Sequence, residues 1–74
     1  MQIISIPHPT YPDETAYVVP IIRGGKVEHF WLGQSLDFYR ERAASKSVSM
    51  EAHIENLVKT FLKGDDWQFS EDVQ

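Results

Sequence analysis

The stretch Ala16-Tyr17-Val18-Val19-Pro20-Ile21-Ile22-Arg23-Gly24-Gly25-Lys26-Val27-Glu28-His29-Phe30-Trp31-Leu32 decides the fold. Two runs rich in β-branched and aromatic residues flank a pair of glycines. Glycine accepts the positive φ of primed two-residue turns, so this pattern predicts a β-hairpin. The turn then sets the register. Arg23 opposes Lys26, Ile22 opposes Val27, Val19 opposes Phe30, Val18 opposes Trp31 and Tyr17 opposes Leu32. One face carries Val18, Pro20, Ile22, Val27, His29 and Trp31. The other carries Tyr17, Val19, Ile21, Phe30 and Leu32, with Arg23, Lys26 and Glu28 near the turn. A half-buried hairpin has one polar face, and here neither face is polar. Each face therefore needs a cover: helices on one, a partner chain or the C-terminal tail on the other. Pro20 offers no N–H to a ladder, which points to an edge position or a bulge for the first hairpin strand.

Upstream, Gln2–Ile6 reads as a short strand that ends at Pro7. The loop from Pro7 to Glu14 holds three prolines in six residues, so it is stiff without being regular. Downstream, Ser35 is placed to cap a helix from Leu36 to about Ala44, with Asp37 in the first turn and Leu36, Tyr39 and Ala43 on one side. Ser49 caps a second helix, Met50–Lys63, whose stripe is Met50, Ile54, Leu57, Val58, Phe61 and Leu62. Leu57 and Phe61 are expected in the core. Gly64 is the expected stop. Trp67 and Phe69 alternate with polar neighbours, which is strand spacing. The result is an α+β fold of order β-ββ-α-α, a small antiparallel sheet packed by two helices. Residues 1–64 form the domain, and 65–74 form an acidic tail whose aromatics suit it to docking.

The 74 residues hold seven Lys and Arg against eleven Asp and Glu, a net charge of −4. Through residue 63 acids and bases balance, so the whole excess lies in Asp65, Asp66, Glu71 and Asp72. A nucleic-acid reader needs a basic stripe, and the cluster Arg40, Arg42 and Lys46 is interrupted by Glu41. Direct nucleic-acid binding is therefore disfavoured. The exposed side of the second helix, with Glu51, Glu55, Asn56 and Lys59, is not a basic reading face either. The acidic tail instead suits a protein partner with a basic, nucleic-acid-binding surface. No apolar run approaches the ~20 residues of a membrane span, and the N-terminus lacks a basic signal-peptide start. A cytoplasmic protein with no membrane association is the expectation.

Chemistry is sparse. The chain has no cysteine, which removes disulfides, thiolate metal sites and a Cys nucleophile together. His8, His29 and His53 fall in a loop, a strand and a helix with no metal-ligand spacing, so neither a metal nor a cofactor is expected. Ser35 and Ser49 are accounted for as caps, and no G-x-S-x-G turn or phosphate loop occurs. Asp13-Glu14 and Asp65-Asp66 are sequence neighbours rather than carboxylates facing across a cleft. An enzyme is not expected.

What remains is aromatic surface. Nine aromatic residues exceed what a small two-layer core encloses, and Tyr11, Trp31 and Trp67 fit that core least well. The expectation is a small non-catalytic binding protein that regulates or inhibits a larger machine by occupying a partner surface, as phage inhibitors and antitoxins do. Its contact residues are expected to be Tyr11, His29, Trp31, Asp65, Asp66 and Trp67, with steric blocking ahead of electrostatic mimicry. The alternative is a homodimeric structural or transcription-related accessory protein.

Overall fold

The computed structural model describes residues 1–71. The elements run β1 (Ile4–Pro7), β2 (Thr15–Arg23), β3 (Lys26–Leu32), α1 (Leu36–Ser45), α2 (Met50–Phe61) and β4 (Trp67–Phe69). This is an α+β fold, with an antiparallel sheet and a helical hairpin. The chain divides into two compact units: Met1–Leu32 with the segment from Asp66 onward, and Gly33–Asp65.

In the sheet unit, β2 and β3 pair in the register the Gly24-Gly25 turn dictates, from Arg23 opposite Lys26 to Tyr17 opposite Leu32. Both glycines have positive φ, 61° and 76°, as a primed turn requires. β1 pairs with the first half of β2, Ile4 opposite Val18 through Pro7 opposite Thr15. β4 pairs with the second half, Ile21 opposite Phe69 through Arg23 opposite Trp67. Thus β2 is central, and two short strands share one of its sides.

That arrangement corrects the expectation for Pro20. The strand is neither at an edge nor displaced from its register. With Arg23 and Lys26 closing the turn as a bonded pair, the odd residues of β2 address β3 and the even residues address β1 and β4. Pro20 falls where β1 has ended and β4 has not begun, so its missing N–H costs no strand pairing. Its carbonyl is still used, accepting from the Ser70 N–H at 3.1 Å. The tail forms the strand that the alternation of Trp67 and Phe69 predicts, and this strand joins the sheet as β4 beside β2. The Met1 ammonium and the Gln2 side chain both reach Glu71, which ties the two described ends together. Residues 72–74 of the tail lie outside the described residues. Val18, Val19, Pro20 and Ile21 are almost fully enclosed, so both faces of β2 are buried.

In the helical unit, the caps are those the sequence predicts. Ser35 Oγ accepts from the Phe38 N–H and Ser49 Oγ from the Ala52 N–H. α1 closes with the Ser47 N–H on the Ala44 carbonyl and the Val48 N–H on the Ala43 carbonyl. This is a Schellman closure with Ser47, at φ 57°, in the left-handed position usually held by glycine. Tyr39 and Ala43 of α1 and Ile54 and Val58 of α2 are buried. Leu57 is half-buried, but Phe61, expected in the core, is 67% exposed. α2 ends at Phe61 itself, short of Lys63, so this residue lies at the terminus of the stripe where the helix gives it least cover.

Candidate aromatic interface

The loop between β1 and β2 is organised by His8. The preceding Pro7 and following Pro9 restrict the backbone around it. Its imidazole Nδ1 accepts from the Thr10 N–H at 3.1 Å and the Tyr11 N–H at 3.2 Å. An imidazole accepting at Nδ1 carries its proton on Nε2. The His8 N–H donates to the Glu14 carbonyl at 3.0 Å, and the Glu14 N–H donates to the Tyr11 carbonyl at 2.9 Å. The second of these closes a turn with Pro12 at its favoured second position. A loop that the sequence shows only as stiff is thus fixed by two hydrogen bonds to the His8 ring and two within the backbone.

The same ring joins two aromatic side chains remote in sequence. His8 lies 5.1 Å from Tyr11 and 5.9 Å from Trp31, the latter edge-to-face at 76°. Tyr11 remains 58% exposed and Trp31 45% exposed. Trp31 stands opposite Val18 and His29 stands opposite Pro20, so both share one sheet face with Val27, which is also exposed. Among the expected contact residues, the structure therefore brings Tyr11, Trp31 and His29 onto one side. His8 is the member the sequence reading missed. Its signal was its position between two prolines ahead of Tyr11, where a side-chain acceptor can serve consecutive backbone N–H groups.

Asp65, Asp66 and Trp67 sit elsewhere. Trp67 opposes Arg23, on the sheet face opposite to Trp31, and is half-buried with Phe69 packed edge-on at 4.9 Å. Asp66 acts on Arg23 of the same chain and favours its charged form, behind the larger effects of the Glu28 carboxylate. Asp65 is exposed. Two further aromatic side chains are exposed in the helical unit, Phe38 at 41% and Phe61. Among the described residues, no group of three or more His, Asp or Glu side chains converges as metal ligands would. No helix among them is long and apolar enough to cross a membrane.

No known protein family, curated protein or solved structure matches the chain.

Proposed function

We propose that the chain is a small non-catalytic binding protein that regulates or inhibits a larger protein by occupying a surface on it. The supporting observation is the Tyr11–His8–Trp31 cluster. Two large rings are left substantially exposed, yet their positions are fixed by backbone hydrogen bonds and by a strand register. Exposed aromatics held in place lose little conformational entropy on docking, which is what an interface anchor needs. Occupation of the partner is steric on this reading.

A homodimer is the second reading, and the placement of β3 favours it. Among the described residues β3 pairs only with β2, and its outer edge presents the backbone of Val27, His29 and Trp31. Strand addition by a second copy would use that edge.

Trp31→Ala separates these readings from a structural role. The variant should keep its thermal midpoint close to wild type and lose more than ~2 kcal/mol of partner binding or self-association. Capture of a partner from host lysate by wild type but not by Trp31→Ala, with both monomeric in sedimentation, supports the first reading. A concentration-dependent dimer abolished by Trp31→Ala supports the second. Unfolding of Trp31→Ala places the ring in the core and removes both.

A further inference from the structure

The helical unit contains a groove independent of the aromatic cluster. It has a volume of about 290 Å3 and is lined by Lys46, Val48, His53, Asn56 and Leu57, among others. Its walls are of two kinds. Val48, 45% exposed, and the half-buried Leu57 are aliphatic. Lys46 carries a permanent positive charge, and His53 offers an imidazole that can donate.

The charge around the groove is not balanced from within. Among the described residues, the ion pairs of this unit engage Arg40 with Asp37 and Lys59 with Glu55, and neither Lys46 nor Arg42 is paired with a carboxylate. Arg42 instead lies 5.9 Å from the Phe38 ring. The His53 imidazole is held toward its neutral form, first by partial burial and then by Lys46 and Arg42. Among the described residues, no carboxylate acts on it in the opposite sense. A chain of net charge −4 thus keeps a locally positive, aliphatic-walled concavity.

We propose that this groove binds a small carboxylate carried on a short aliphatic body, the carboxylate meeting Lys46 and His53 and the aliphatic part lying against Val48 and Leu57. A single negative charge matches the site better than a phosphate does. Lys46 is the one lining side chain with a permanent charge, and burying a more strongly hydrated dianion against two aliphatic walls costs more than one ammonium recovers.

The test is a titration of the full chain with sodium butyrate, followed by NMR of the His53 ring and of backbone amides. Butyrate should give saturable shifts at Lys46, Val48 and His53 at millimolar concentrations, and butylamine should give none. Acetate lacks two methylenes, so its binding should be weaker by up to about tenfold. Bound carboxylate favours the imidazolium, so the His53 midpoint should rise in butyrate. The groups acting on that ring are Lys46, Arg42 and the Tyr39 ring at 6.2 Å. Lys46→Gln should abolish saturation, and Val48→Ser should narrow the gap between butyrate and acetate with Lys46 intact. Both positions are exposed, so neither variant threatens folding. Equal shifts from phosphate or chloride at matched ionic strength would overturn the proposal by reducing the groove to a general counter-ion patch. So would an unchanged butyrate titration in Lys46→Gln.

Discussion

The helical unit and the sheet unit are closed by contacts of different range. In the helical unit, each helix begins on its own serine and α1 ends on hydrogen bonds spanning three to five residues. In the sheet unit, β4 pairs with a strand more than forty residues earlier, and the first residue is tied to Glu71. Helical order here depends on neighbours in sequence; sheet order depends on both described ends being in place. Long-range closure costs more chain entropy before any contact repays it. The two units should therefore respond differently to small local changes.

The largest effect is expected at Ile54, which is fully enclosed on α2. Ile54→Ala should destabilise by about 2–5 kcal/mol, through lost burial plus the cavity left behind. Denaturant unfolding followed by far-ultraviolet circular dichroism measures this. An unchanged midpoint would mean that the α2 stripe is not a core, and the helical unit's local order would then lack its packing support.

A second change aims at the long-range closure itself. Gln68 opposes Ile22 in the β2–β4 ladder, on an exposed position. Gln68→Pro removes a ladder N–H without removing core volume, at a cost of about 1–3 kcal/mol if the facing carbonyl stays dry. Hydrogen exchange should accelerate at Ile22 and Ser70 while the amides of α2 keep their protection. Equal acceleration in both units would break the distinction between them.

The same difference in range governs what was legible in the sequence. Ser35, Ser49 and the Ile54–Val58 spacing announce the helices because their information lies within one or two turns. The Gly24-Gly25 hairpin is equally local, and its register is as read. Pro20 was misjudged because its tolerance depends on β1 and β4 meeting at that point, a fact held by residues far from it. Phe61 was misjudged because helical spacing assigns a side without saying where the cover ends. In the interface, Trp31 and His29 follow from strand alternation and Tyr11 from its loop. The link between Tyr11 and Trp31 is His8, and ring packing between residues 23 apart leaves no periodic trace. The strand spacing of Trp67 is legible, but its pairing opposite Arg23 is not, because the partner lies 44 residues away.

Ser47 tests the local side of the comparison. Its left-handed backbone carries a Cβ penalty that glycine lacks. Ser47→Gly should stabilise by about 0.5–1 kcal/mol, with Ser47→Ala close to neutral as the control for the hydroxyl. Thermal unfolding reads both. A destabilised Ser47→Gly would mean that the serine is needed for more than the α1 closure.

The smallest effect is expected from two ion pairs, one taken from each unit. Arg23 holds Glu28 with two contacts, 2.7 and 3.3 Å, whereas Lys59 holds Glu55 through one at 3.1 Å. The Arg23 hydrogen bond keeps the Glu28 carboxyl below the ordinary glutamate range. The unfolded chain therefore takes up that proton at a higher pH than the folded chain does. The pair's contribution is fully present above the ordinary value and is lost as pH falls through the lowered one. Both partners are solvated, so the effect is modest and screened by salt. Glu28→Gln should lower the thermal midpoint slightly at neutral pH, and that difference should shrink as pH falls through the lowered Glu28 value. Glu55→Gln should lower the midpoint at neutral pH by less, because a single flexible ammonium contact fixes less geometry than a forked guanidinium. If the two variants lose the same amount at neutral pH, the hairpin pair gains nothing from being held across paired strands. Its energy would then be set by proximity in sequence, as on the helix.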